Sequence, residues 1–250
     1  MPEVRTWDGQ TYDRISGPMQ RLGEAVLDRL ELAGDETVLD AGCGSGRVTE
    51  QLIPRLPRGH AIAVDASPSM VQAARRRLGP DADIRQADLL ELALDPPVDA
   101  VLSTATFHWI SDHDALFRRL HAVLRPAGRL VAQCGGEGNI ATLRARAAVV
   151  MEREPYATHF ASFSPPWNYA APPATEARLR AAGFAEARCW LAEAPQQPAE
   201  PREFLSTIVL GPHHQHLPDE LREPFMDDVM AELPQPVIVD YVRLNIDAVA

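Results

Sequence analysis

Apolar residues recur at helical spacing through Met19, Leu22, Val26, Leu27 and Leu30, which predicts an amphipathic helix over 18–32 closed by Gly34. The period then changes. A short apolar run at 37–40 runs into glycines and reads as a strand, and helical spacing resumes over 48–56 until Pro57 stops it. The same unit recurs. Residues 61–65 read as a second strand, Ser67-Pro68 supplies an N-cap and first-turn proline for a helix reaching Leu78, and Gly79-Pro80 ends that helix. Further short strands are expected at 84–87, 100–103 and 130–133, the last reached from a helix over 115–124. Strands alternating with helices predict an α/β fold around a parallel, doubly wound sheet.

The regularity weakens after Gly138. A helix is expected near 140–152, then the turn-prone stretch Ser164-Pro165-Pro166-Trp167-Asn168-Tyr169 and Pro172-Pro173, a helix over 175–182 and a strand over 187–191. Residues 195–201 read as a connector, 217–233 as helix, and the alternation of Val237, Val239, Tyr241 and Arg243 as a final strand. We expect a single domain over 1–250, with an N-terminal helical segment over 1–34, a core over 35–134 and a helical lid inserted over 195–235.

Composition supports one substantial core, with 46% hydrophobic residues in 250. Lys and Arg total 24 against 35 Asp and Glu, and the net charge of -11 works against attraction to a phosphate backbone or an anionic membrane. Neither nucleic acid nor membrane is expected as a partner. No apolar run approaches the roughly 20 residues that span a bilayer, and residues 1–13 carry no signal-peptide core, so a cytoplasmic location is expected. Cys43, Cys134 and Cys189 stand far apart with no paired spacing, which suggests neither a disulfide framework nor a zinc site. His213, His214 and His216 have no cysteine nearby and carboxylates only at Asp219 and Glu220, so a solvated loop is expected there and no metal.

The chemistry concentrates at Val38-Leu39-Asp40-Ala41-Gly42-Cys43-Gly44-Ser45-Gly46. A nucleoside ligand in an open α/β sheet sits outside the carboxyl ends of the strands, where the first strand turns into its helix. Gly42, Gly44 and Gly46 allow positive φ and close backbone approach at that place. A dinucleotide fingerprint would put a small residue at position 47, where Arg47 is a poor fit for close helix–strand contact. Asp65, at the end of the second strand, can accept from both ribose hydroxyls and by itself suits a nicotinamide dinucleotide equally well.

The GxGxG turn preceded by Asp40 is similar to motif I of class I S-adenosylmethionine-dependent methyltransferases. Gln86-Ala87-Asp88-Leu89 resembles that family's adenine-contacting segment, with Asp88 placed to accept from the adenine amino group. The fourth strand with its exit, Thr104 to Ile110, and the later Leu124-Arg125-Pro126-Ala127-Gly128 complete a resemblance running from about Asp35 to Gln133. It implies a Rossmann-like sheet, mostly parallel with an antiparallel last strand. It also implies S-adenosyl-L-methionine as cofactor, S-adenosyl-L-homocysteine as product, and cofactor contacts from Tyr12, Asp40, Gly42, Cys43, Gly44, Gly46, Asp65, Ala66, Met70, Ala87, Asp88, Leu89 and Thr104. Within the family, Phe107-His108-Trp109, with Trp7-Asp8 and Tyr12, is similar to small-acid carboxyl methyltransferases such as the trans-aconitate group.

Methyl transfer from a sulfonium needs an aligned acceptor and a dry site rather than a nucleophilic side chain. A carboxylate acceptor, with an unperturbed pKa of about 4, is already ionised and needs no base, whereas a hydroxyl or carbon acceptor needs one. His108, just beyond the fourth strand, is the base candidate, with a hydrogen-bonding role in the pocket as its alternative. Trp109, Trp167, Tyr169 and Arg243 are acceptor-pocket candidates. The expected activity is methylation of a small molecule, as a monomer or homodimer, with a carboxylate as the acceptor. The alternatives are a natural-product hydroxyl, ring carbon or nitrogen acceptor, an inactive cofactor-binding accessory protein, and a nicotinamide-dependent oxidoreductase.

Overall fold

The computed structural model describes residues 17–250. Its centre is a seven-stranded sheet in the order β3-β2-β1-β4-β5-β7-β6. The strands are β1 Thr37–Ala41, β2 His60–Asp65, β3 Asp83–Gln86, β4 Val98–Thr104, β5 Leu124–Gly135, β6 Glu186–Glu193 and β7 Val242–Val249. β1 pairs in parallel with β2 and β4, β2 with β3, and β4 with β5. β7 is antiparallel to both neighbours. Ala250, just after it, exchanges hydrogen bonds with the start of β5, Ala127 N–H to Ala250 O and Ala250 N–H to Gly128 O, both 2.9 Å. The N–H of Ala185, just before β6, meets Val249 O at the far end of β7. The expected fold class is the observed one.

Alternation along the strands explains the two covered faces. Leu39 and Ala41 of β1, Ile62 and Val64 of β2, and Val101 of β4 pack on one face with Leu116, Phe117 and Leu120 of α4 (His113–Val123) and Leu179 of α7 (Pro172–Ala181). The intervening Val38, Ala100 and Leu102 pack on the other with Val26 and Leu27 of α1 (Gly17–Leu27) and Val48 and Leu52 of α2 (Arg47–Leu52). Ala63 of β2 meets Val71 and Ala74 of α3 (Pro68–Leu78) on that same side. Asp40 sits on the register of Val38, so a carboxylate is buried where apolar neighbours would be expected.

Two compact units emerge. One holds the described residues up to Glu137, Asn168–Ala192 and Leu244–Ala250, and the other holds Gly138–Trp167 and Glu193–Arg243. The second contains α5 (Ala141–Met151), α6 (Ala157–Phe160), α8 (Pro201–Phe204), a π-helical turn at Leu205–Val209, α9 (Gly211–His214) and α10 (Asp219–Glu232).

Three expectations need correction. The helix expected over 48–56 stops at Leu52 and tightens into a 3₁₀ turn, Ile53–Arg55, where Pro54 stands within the turn. The last strand starts at Val242 rather than 237: residues 237–241 do alternate between buried and exposed, but they make only an isolated antiparallel bridge, Gln196 to Val239. The polar positions Asn245 and Asp247 hide the real strand, and Arg29 accounts for them. It donates to Asn245 Oδ1 at 2.5 Å and pairs with Asp247 at 3.2 Å.

The histidine segment is not a solvated loop. His213 is 4% exposed, with its ring centroid 4.7 Å from Phe163 and 6.0 Å from each of Phe160, Trp167 and Phe225. Its Nδ1 is buried without a hydrogen-bond partner. Burial, with His214 and His216 as like-charged neighbours, pushes its pKa down to about 3, so the ring is neutral. No group of three or more His, Cys, Asp or Glu side chains among the described residues is arranged to hold a metal ion. Nor is any described helix long and apolar enough to cross a membrane.

Candidate cofactor and acceptor site

The turn after β1 is built from three left-handed glycines, with φ of 81° at Gly42, 55° at Gly44 and 82° at Gly46. Two backbone bonds to Val64 O, from Gly42 N–H at 2.8 Å and Cys43 N–H at 3.0 Å, fasten the turn to β2. The glycines do different work. A Cβ on Gly42 would lie 2.2 Å from the Thr106 side chain, and one on Gly46 would press on Leu78 at 3.0 Å and Ala74 at 3.3 Å. Among the described residues, a Cβ on Gly44 would meet nothing within 4 Å. Gly42 and Gly46 therefore serve the chain's own packing, whereas Gly44 faces open space among the described residues.

Two carboxylates flank the turn. Asp65 accepts from Gly44 N–H at 2.9 Å and Ser67 N–H at 2.8 Å, one bond to each oxygen. Each oxygen keeps further lone-pair capacity. Burial raises the Asp65 pKa against the pull of those two bonds. Asp40 is fully buried. Thr49 Oγ1 of α2 donates to its Oδ2 at 2.6 Å, while Oδ1 has no partner. Burial pushes the Asp40 carboxyl up to about 6, the Thr49 bond opposes that rise, and Asp65 adds to it. Burial first, then both carboxylates, push the Cys43 thiol far up, so it is a neutral, unreactive group.

Beyond β2, Met70 is buried in the first turns of α3, and Ala66 lies half-buried between Asp65 and Ser67. After β3, Ala87 N–H bonds the backbone carbonyl of Asp65 at 3.2 Å, tying the segment after β3 to the end of β2. Asp88 Oδ1 accepts from Leu90 N–H at 2.9 Å in a local turn. Leu89 spends its side chain on the core with Ile62 and Val64. Tyr12, with Trp7 and Asp8, lies outside the described residues.

The exit of β4 is strained and braced. Thr104 ends the strand, and Ala105 takes a left-handed φ of 56° with its N–H on Gln133 O at 2.7 Å. Such conformations persist where the surroundings over-determine them. Thr106 Oγ1 bonds Gly42 O at 3.0 Å, and Phe107–Trp109 form a 3₁₀ turn. His108 is 7% exposed, and its Nδ1 accepts from Gly135 N–H at 3.3 Å. Its carbonyl accepts from Asn168 N–H at 2.9 Å, which brings Tyr169 within 5.8 Å of the imidazole, with Trp109 at 5.1 Å.

Three of the candidate acceptor residues, His108, Trp109 and Tyr169, are thus assembled within the first unit. Trp167 and Arg243 belong to the second, where Trp167 lies beside His213 and the buried Arg243 sits over the Tyr241 ring at 5.7 Å. Thr49, Thr106 and Gly135 escaped the sequence reading. The signal for Thr49 was a hydroxyl on the apolar face of α2 between Val48 and Leu52.

A family model described as a methyltransferase domain matches residues 38–128. A trans-aconitate 2-methyltransferase of Methylobacterium nodulans is 33% identical over 188 residues, which are 75% of this chain and 68% of that protein. One from an Azoarcus species is 38% identical over 128 residues, 51% of this chain and 50% of that protein, so the match spans half of the latter's length. Among solved structures, a Haemonchus contortus phosphoethanolamine N-methyltransferase in complex with phosphomonomethylethanolamine and S-adenosylhomocysteine aligns with a TM-score of 0.60 at 18% identity. That alignment covers 97% of this chain and 56% of the other. By sequence and by fold, the chain belongs to the class I S-adenosylmethionine-dependent methyltransferase family and is similar to its trans-aconitate 2-methyltransferases.

Proposed function

We propose that this methyltransferase takes S-adenosyl-L-methionine at the Gly42–Gly46 turn and methylates a carboxylate of a small organic acid, forming an ester. The residues fit the cofactor on three counts: the open space in front of Gly44, the remaining lone pairs of Asp65, and the unpartnered buried oxygen of Asp40. When bound, the cofactor supplies a methyl group activated by its sulfonium charge. The chain's own work is to bind and orient. Asp65, its carboxylate fixed by two backbone N–H groups, accepts from ribose hydroxyls, and Asp88 and Met70 meet the adenine.

One observation carries the acceptor class. His108 Nδ1 accepts from Gly135 N–H, so in the neutral ring the proton resides on Nε2 and the imidazole acts as a donor. A donor holds an anionic oxygen. It does not take a proton from a hydroxyl. An ionised carboxylate needs only to be held, and Trp109 and Tyr169 beside His108 supply flat apolar walls that exclude water. The two trans-aconitate 2-methyltransferase relatives support the same acceptor class.

Incubation with methyl-labelled cofactor and separate panels of carboxylic acids, phenols and amines tests this reading. Label in alkali-labile esters of the acids is expected, and label confined to phenols or amines rejects it. Replacing His108 by Ala is expected to raise KM for the acid about 10-fold, the worth of a hydrogen bond to a charged group, with kcat changed less. A kcat loss that vanishes at high pH would instead mark His108 as a base.

A further inference from the structure

We propose that Thr49 is a positioning residue of the cofactor site: its hydroxyl occupies one oxygen of the Asp40 carboxylate, so that the other, Oδ1, is held as the acceptor for an ammonium group of the ligand. The inference rests on the reading that S-adenosyl-L-methionine binds at the glycine turn. Asp40 is 0% exposed and Thr49 1% exposed, and Thr49 Oγ1 donates to Asp40 Oδ2 at 2.6 Å. A hydroxyl carries a single donor, so this bond fixes which oxygen is taken.

Oδ1 is buried and has no partner. An uncompensated anionic oxygen in an apolar setting is costly, and an apolar side chain at position 40 would remove the cost. Among the described residues, no cation faces Asp40 from the neighbouring elements. Asp65 at the end of β2 adds like charge, and Cys43 in the turn is a neutral thiol. No positive partner for that oxygen stands among the described residues, and the amino-acid ammonium of the cofactor and of its product would supply one.

Calorimetric titration of the full chain with S-adenosylhomocysteine, and with 5′-methylthioadenosine, which lacks the amino-acid portion, tests the proposal. The proteins are wild type, Thr49→Val and Thr49→Ser. Thr49→Val is expected to bind S-adenosylhomocysteine about 10-fold more weakly and methylthioadenosine as wild type does, with Thr49→Ser restoring both.

The pH profile gives a second readout. Burial places the Asp40 carboxyl at about 6 while the Thr49 bond lowers it. Wild-type affinity for S-adenosylhomocysteine should therefore fall as pH drops through that value, and the Thr49→Val midpoint should move to higher pH. Equal loss for both ligands would reduce Thr49 to a structural role and overturn the proposal, as would an unchanged affinity with an unmoved midpoint. A wild-type protein that binds neither ligand would overturn the cofactor reading as well.

Discussion

Replacing Gly44 by Ala is expected to leave the protein folded and to weaken S-adenosylhomocysteine binding by on the order of 10- to 100-fold, the scale set by a cost of about 1–3 kcal/mol for forcing an extra methyl into a close contact. The new methyl meets no atom of the described residues within 4 Å. The folding cost is then the left-handed conformation alone, about 1–2 kcal/mol for a residue with a Cβ. Gly42→Ala makes the control. It carries a φ of 81°, and its Cβ would lie 2.2 Å from Thr106 Cγ2 and Oγ1, in the segment that bonds Gly42 O. Overpacking of that kind typically adds about 1–3 kcal/mol, for a total loss of about 2–5 kcal/mol on unfolding by urea. Two glycines two residues apart thus separate binding from stability. Equal loss of both properties in both variants would show that Gly44 is not open to a ligand.

The second large effect is an acid response originating in the second unit. His213 is neutral in the folded protein, with a pKa of about 3, among Phe160, Phe163, Trp167 and Phe225. In the unfolded chain the same ring titrates near 6.5. Its folded pKa is lowered, so the unfolded state binds more protons between those values. Stability is constant above about pH 6.5 and falls as the pH drops toward 3. A shift of this size corresponds to about 4–5 kcal/mol at full extent. His213→Phe, close in volume and suited to the surrounding rings, is expected to remove this component. Urea midpoints measured from about pH 7 to pH 4 should decline steeply for wild type and much less for the variant. Parallel declines in the two proteins would mean that the ring is accessible to protons in the folded state.

The parts of the fold that were legible were those whose period is local. Strands β1 to β4 and the helices between them are marked by apolar spacing, and by Gly or Pro at their ends, so their order and their doubly wound arrangement follow from sequence. β7 was misplaced because Asn245 and Asp247 break its apolar alternation, and the residue that compensates them, Arg29, stands more than 200 positions away. α6, α8 and α9, at four residues each, are too short for any helical period to register. His213 looked solvated because its neighbours in sequence are polar, whereas the rings that bury it come from Phe160, Phe163 and Phe225.

At the site, sequence supplied the glycine turn, Asp40, Asp65, Asp88 and His108 as residue types in the right order. It did not supply the bonds that give them direction. That Gly42 opens onto Thr106, while Gly44 meets none of the described residues, is a tertiary fact. So is the Gly135 N–H that makes His108 a donor, and so is the Thr49 hydroxyl on Asp40.

The most direct test of the central claim is the thermal unfolding midpoint of the wild-type chain titrated with S-adenosylhomocysteine or with a nicotinamide dinucleotide. A ligand that binds only the folded state raises that midpoint, by about 2.7 kcal/mol of stability at a hundredfold excess over Kd. A saturable rise is expected with S-adenosylhomocysteine and none with the dinucleotide; a rise with the dinucleotide alone would contradict S-adenosylmethionine as the cofactor.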